Sequence, residues 1–251
     1  MCWHERDFWS EIEKLQRFNS LQGMEATGIT SHFWIASSEC FSSALLVVAE
    51  DVGERTSRAL VSCSVCDVDG VPVQEFQVEY PAREVGVIEL QPFLSALKMR
   101  DGLAHGHLIV RTNEGFRHFC RYQLGEQSAL VPTPRLNRGR EMSFMPLLLG
   151  SHREHLLVLV NDSEAESQVV LRIMYGTRSP EWTVQIPPNG SRMVSIEKEL
   201  LPTFDDSSWK KGVVQGYLRV SPRGSGAISS AIIERVESIE GDNEMYRWIG
   251  V

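Results

Sequence analysis

The 251-residue sequence predicts an all-β chain: two tandem antiparallel β-sandwich domains from an internal duplication, preceded by a short N-terminal amphipathic helix. Three observations lead there. Residues 31–51 (SHFWIASSECFSSALLVVAED) and 142–162 (MSFMPLLLGSHREHLLVLVND) align without a gap, setting Phe33 on Phe144, Ala44 on His155 and the run from Leu45 to Val48 on Leu156 to Leu159. Short apolar or alternating runs bounded by polar turns then recur in the same order in both halves, which is the pattern of buried and half-buried strands. Between these runs the sequence has no helical stretch long enough to bridge parallel strands, and this excludes a parallel α/β sheet.

Within residues 1–30, Phe8, Ile12 and Leu15 fall at i, i+4 and i+7 with Trp9 and Phe18 beside them, predicting a helix of about 14 residues with one apolar face. Such a helix covers a sheet edge of its own domain or docks on a partner. Glu5, Asp7, Glu11 and Glu13 on its polar side argue against a membrane-surface role. The first sandwich is expected over 31–127. After its opening strands, Ala59, Val61, Cys63 and Val65 alternate and match Val169, Leu171, Ile173 and Tyr175. Phe76, Val78 and Tyr80 match Trp182, Val184 and Ile186, and each strand runs into a proline, Pro81 or Pro187, which removes a ladder donor.

Gly86, Ile88 and Leu90 match Arg192, Val194 and Ile196, and GHLIV from Gly106 matches GYLRV from Gly216. PFLSALKM and KELLPTF are expected as turns or short helices crossing between sheets, and FRHFCRYQ and AISSAIIER as the final strands. Residues 128–141, rich in Pro, Arg and polar side chains, read as a linker to a second sandwich over 142–236. The tail, 237–251, ends in EMYRWIGV, apolar where chain ends are normally polar, so it is expected to pack on its own domain or on another subunit.

The formal charge of −8, from 33 acidic and 25 basic side chains, repels phosphate backbones and excludes general nucleic-acid binding. Arg135, Arg138 and Arg140 read as solvating residues of the linker. The sequence has no apolar run of membrane-spanning length, and charges stand where a signal peptide needs an apolar core, so neither membrane insertion nor signal-directed export is expected. Five cysteines (Cys2, Cys40, Cys63, Cys66, Cys120), an odd number, suit reduced thiols in a cytoplasmic protein. The Asn161 and Asn189 sequons are then chance matches in loops.

The FWIAS opening, LLVVAEDVGERTSRALVSCSV and FQVEYPAREVGVIEL, with LLVLVNDSEAESQVVLRIMY and WTVQIPPNGSRMVSI in the second half, resemble the sensory rhodopsin transducer-like, immunoglobulin-like β-sandwich family. The resemblance covers one copy at a time and implies small soluble sandwiches that oligomerise and act as protein partners. The chain departs from that pattern in carrying two copies, an added N-terminal segment, and PPNG at Pro187 where the first copy has PAR.

No catalytic or metal site and no cofactor is expected. Cys63 and Cys66 are three apart on a strand and therefore face opposite ways, Cys63 matching Ile173 in the core. His105 and His107 share a strand face, and His118 on a strand expected to pair nearby could meet them in a metal or pH-sensing group. GSGAIS at Gly224 fails the spacing of nucleophile or phosphate loops, and the pairs Asp205 with Asp206 and Asp67 with Asp69 read as turn residues. The expected function is a non-catalytic interaction or scaffold role, with a protein partner or a homo-oligomer. The associating residues are Phe8, Trp9, Ile12, Leu15, Tyr246, Trp248 and Ile249, apolar groups without an assigned place in either sandwich. The alternative is a carbohydrate or small-ligand module stacking on Trp34, Trp182 or Trp209, of which Trp209, in a loop, is the best placed.

Overall fold

The computed structural model describes residues 28–39, 41–49, 58–81, 85–100, 103–113, 115–124, 127–134, 137–138, 141–177, 179–203, 208–224, 226–237 and 244–250. The expected N-terminal helix, with Phe8, Trp9, Ile12 and Leu15, lies outside them. Among the described residues the chain is all-β, with four antiparallel sheets. Sheet A places β1 (Gly28–Ser37), β7 (Leu103–Asn113), β3 (Arg58–Cys66) and β4 (Pro72–Pro81) side by side, with β6 (Met99–Arg100) added to β7. Sheet B runs β5 (Gly86–Glu89), β2 (Phe41–Ala49), β8 (Phe116–Leu124), β9 (Gln127–Pro132). Sheet C runs β15 (Ser191–Ser195), β12 (Arg153–Asn161), β17 (Ala227–Glu237), and both β18 (Glu244–Gly250) and β10 (Asn137–Arg138) pair with β17. Sheet D runs β11 (Ser143–Leu149), β16 (Val214–Arg223), β13 (Ser167–Tyr175), β14 (Glu181–Ile186).

Sheets A and B close over a core containing Phe33, Ile35, Leu45, Val61, Leu108 and Cys120. Sheets C and D close over another, with Met145, Leu147, Leu157, Leu171, Leu218 and Ile232. Counted along each half, A and D have one strand order, and so do B and C. The crossing from sheet B to sheet A after β5 runs through a short helix α1 (Gln91–Leu94), and that from sheet C to sheet D after β15 through a π-helical turn, Ile196–Leu200.

The pairing register corrects the gapless alignment of the opening strands. Phe33 lies opposite Leu108, and Met145 lies opposite Leu218, so Met145 rather than Phe144 occupies the Phe33 position. Phe33 is 0% exposed, whereas Phe144 is 53% exposed on the outer face. Likewise Leu157, opposite Ile232, takes the place of Leu45, opposite Cys120, which sets His155 on Ser43 instead of Ala44. A one-residue slip reverses every face of a strand, and two apolar runs aligned by composition do not reveal it. In β13 the error is two residues and leaves the face unchanged: Cys63, opposite Val110, corresponds to Leu171, opposite Val220, not to Ile173. Met145→Ala is accordingly expected to destabilise by about 2–5 kcal/mol, and Phe144→Ala by roughly 0.5 kcal/mol or less, measured by urea unfolding.

Gly106 and Gly216 share one steric constraint. A Cβ at Gly106 would stand 2.3 Å from the Cys66 carbonyl oxygen, and one at Gly216 2.8 Å from that of Met174. Two further expectations are revised. The linker segment 128–141 holds most of β9, the edge strand of sheet B, and β10; the tail holds β18, whose backbone pairs with β17 from Ala231↔Gly250 to Glu237↔Glu244. A strand edge left unpaired beside β8 or β17 would expose its backbone groups, and these segments satisfy them.

The two cores are not separate. Along β12, Leu157 and Leu159 point into the C–D core, while Leu156, Val158 and Val160 pack on the A–B core together with Ala231, Ile233 and Met193. The unbroken apolar run Leu156–Val160 follows from burial on both faces. Its counterpart in β2 has Leu46 and Val48 on the partly exposed face of sheet B.

Candidate functional site: a junction built from buried histidines

Two turns make a polar contact between the halves. Asp67 Oδ1 accepts the backbone N–H groups of Asp69 (3.0 Å) and Val71 (2.9 Å), closing the β3–β4 turn with Gly70 at φ 81°. This turn meets the β14–β15 turn, where Asn189 is left-handed at φ 51°, and Ser191 N–H donates to the Val68 carbonyl at 3.2 Å. The left-handed turn aims the Asn189 carbonyl at sheet A. His107 Nδ1 lies 2.8 Å from that oxygen, and His107 Nε2 lies 3.0 Å from His32 Nδ1. His32 Nε2 in turn lies 3.8 Å from Asp162 Oδ2, across the junction. Beside this chain Trp34 Nε1–H donates to His105 Nδ1 at 3.3 Å, and Ser191 Oγ stands 3.5 Å from the same nitrogen.

A carbonyl only accepts, so His107 carries its proton on Nδ1, and its Nε2 lone pair accepts from His32 Nδ1–H. Burial holds the His107 ring neutral, pushing its pKa down to about 3, with the nearby His32 acting in the same direction and the Asn189 bond against it. His118 is elsewhere: it projects between sheets A and B, bonded through Nδ1 to Ser31 Oγ (2.7 Å) and through Nε2 to Thr112 Oγ1 (2.9 Å). The expected trio of His105, His107 and His118 is therefore split, because β8 pairs with β2 in the facing sheet and not with β7. Burial lowers the His118 pKa to about 4.

These two histidines predict acid lability. Each is neutral when folded and would take up a proton near pH 6.5 when unfolded. The stability they contribute is complete above that value and is lost as pH falls through the folded values near 4 and 3. The expected loss rises to about 1.4 kcal/mol per pH unit for each ring. Urea midpoints between pH 7.5 and 4.5 measure it, and His118→Asn should flatten the slope by one proton.

A second charged group closes the far end of the C–D core. His155, fully buried, donates its backbone N–H to Glu197 Oε2 (2.7 Å) and sets Nδ1 2.6 Å from Glu197 Oε1. Its Nε2 is 3.6 Å from Glu234 Oε1, which also pairs with Arg153. Glu154 adds an outer layer with Lys198 at 2.7 Å and Arg235 at 3.4 Å. A buried imidazole thus stands between two carboxylates, one tied to a backbone donor and the other to a cation, at the end of the C–D core, with His155 Nε2 in an ion-pair contact longer than a hydrogen bond.

Other expected residues fall as follows. Cys63 faces the A–B core opposite Val110, and Cys66 lies opposite His107 on the other face. Burial raises both thiols, and raises Cys120 to about 12. Trp34 and Trp209 are buried, so Trp209 belongs to the C–D core and not to an open loop. Trp182 is half-buried, its Nε1–H bonded to Thr203 Oγ1. The backbone of Tyr246, Trp248 and Ile249 lies in β18, opposite Arg235, Ile233 and Ile232. Sequence reasoning missed His32, Asp162, Asn189 and the His155 group. The alternation His32–Trp34 against His105–His107 was the available signal, readable only once β1 is known to pair with β7. Among the described residues no helix is long and apolar enough to cross a membrane. No protein-family model matches the chain, and no curated protein matches it.

Proposed function

We propose that the chain is a non-catalytic interaction or scaffold protein, formed by duplication of one sandwich, that associates with itself or with a protein partner in the cytoplasm. The observation carrying this reading is the outer face of sheet B. The register aligns Val87, Leu46, Phe119 and Pro132 in one row across all four strands, and Val87 and the neighbouring Leu130 are exposed. An apolar row facing away from the core is the kind of surface that interfaces use. Phe8, Trp9, Ile12 and Leu15, with Tyr246, Trp248 and Ile249 on β18, supply further anchors, and the transducer-like resemblance points the same way. The stacking-platform alternative is weakened by the burial of Trp34 and Trp209.

Light scattering on the full chain tests the proposal. Phe8→Ser with Ile12→Ser, and separately Phe119→Asp, are expected to reduce the oligomer mass while β-sheet circular dichroism persists. A wild-type monomer that binds no partner, or a mass unaffected by either variant, would sink it.

A further inference from the structure

We propose that the chains stack head to tail: the outer face of sheet B of one copy docks on the outer face of sheet D of the next, repeating between chains the contact that sheets C and A make within one. This rests on the reading of sheet B as an association surface and names its partner. Inside the chain the outer face of sheet C is covered. Val158, Val160, Ala231 and Ile233 join the A–B core cluster, and Ser191 Oγ and the Asn189 carbonyl meet His105 and His107 on the outer face of sheet A. The registers show which faces correspond. Leu45, opposite Cys120 and Ile88, takes the place of Leu157, opposite Ile232 and Val194. The outer row Val87–Leu46–Phe119–Pro132 of sheet B therefore lies where Met193–Val158–Ala231–Gly250 lies in sheet C. In the other pair, Phe33 opposite Leu108 takes the place of Met145 opposite Leu218, so the row Trp34–His107–Cys66 of sheet A lies where Pro146–Tyr217–Met174 lies in sheet D.

The displacement that carries the first half onto the second carries sheet A onto D and sheet B onto C. Applied once more, it sets a further B-type face against sheet D. A second chain supplies that face with its own sheet B, and its sheet D is then open to a third chain. A contact between two different surfaces does not end at a symmetric pair; it continues into a ring or a filament, as stacked repeats do. The side chains of the two open faces suit such a contact. Phe144 and Tyr217, both exposed on sheet D, stand where His32 and His107 stand on sheet A, and Val87 and Leu130 are exposed on sheet B. Stacking between chains thus relies on burying apolar and aromatic surface, where the contact within the chain adds the histidine bonds. Charged side chains in the adjoining rows are paired within their own face. Arg121 meets Glu89 at 2.6 Å on sheet B, and Arg172 and Arg219 meet Glu181 at 2.9 and 3.9 Å on sheet D, so docking strands no lone charge in these rows.

Sedimentation of the full chain and of two surface variants tests the stacking. Phe144→Asp with Tyr217→Asp closes the sheet D face, and Phe119→Asp closes the sheet B face; all three side chains point away from the cores, and circular dichroism checks that the sheets persist. The unmodified chain is expected to grow in mass with concentration beyond a dimer, and each variant alone to lose that growth. Mixed in equal amounts, the two variants should pair and go no further, because one intact B face and one intact D face remain and the two altered faces, both acidic, repel. A variant that had merely lost its fold would not be rescued by mixing. Stacking is overturned by an unmodified chain that stays a monomer or stops at a dimer, by a sheet D variant that grows as the unmodified chain does, or by a mixture no heavier than its parts. Where Phe119→Asp still lowers the mass, the sheet B reading stands and only its partner is wrong; where it does not, that reading fails as well.

Discussion

Gly70→Ala is expected to cost on the order of 4 kcal/mol and to part the two halves at their turns. Gly70 sits at φ 81°, where a Cβ alone costs roughly 1–2 kcal/mol. The larger cost is steric, because that Cβ would stand 1.8 Å from the Pro188 carbonyl oxygen, a backbone atom that no rotamer change can move. Relief requires the β3–β4 and β14–β15 turns to separate. Separation breaks the Ser191 to Val68 bond and withdraws the Asn189 carbonyl from His107. Gly176→Ala is the control: its φ of 54° carries the same conformational penalty, but its Cβ would meet nothing within 4 Å. Urea unfolding of the two variants should show a clearly larger loss of stability for Gly70→Ala. Equal losses would mean that the turns do not touch in solution.

Glu234→Ala should destabilise by about 3–5 kcal/mol, the usual result of stripping one partner from a buried charge network. Glu234 is 1% exposed and bridges Arg153 and His155, so its removal leaves a guanidinium partly buried and a buried imidazole paired with Glu197 alone within this group. Replacing His155 and Glu234 together by leucine is expected to recover little of the loss, since buried Glu197 then loses the His155 ring and Arg153 loses the Glu234 carboxylate. The exposed Arg121–Glu89 pair, at a comparable 2.6 Å, provides the contrast: Glu89→Ala should change stability by about 0–1 kcal/mol. Thermal and urea denaturation at pH 7.5 measure all three. A small effect from Glu234→Ala would show that water reaches the end of the C–D core.

The strands themselves are legible because alternation is a local property. Val61, Cys63 and Val65 announce one buried face whatever they pack against, and the turn at Asp67–Val71 follows from its own Asx bonds. The segments that read as linker and tail are not, because Gln127–Pro132 and Glu244–Gly250 become strands by completing the edges of β8 and β17. Nothing in either segment alone demands that partner. Trp209 reads as an open loop residue for a similar reason: a short 3₁₀ turn, Ser208–Lys211, carries it into the C–D core, and its neighbours in sequence do not show that.

The candidate site shows the same division. That His105 and His107 share a face is readable from their spacing of two, and that Cys63 and Cys66 oppose one another from their spacing of three. Which histidine meets them is not, since β1 and β7 are far apart in the chain and pair only in the folded sheet. His118 belongs to a different surface from the one its sequence neighbourhood suggests, because β8 lies in the facing sheet and not beside β7.

The sequence by itself determined the all-β class and many of the side chains that fill the two cores, because these depend on period-two alternation and turn chemistry within short windows. Only the tertiary structure decided the one-residue register that separates Met145 from Phe144, the burial of both faces of β12, and the meeting of His32 and His107 with Asp162 and Asn189. Each of those depends on which surface is brought against which, a matter of packing between elements far apart in the chain that no local pattern encodes.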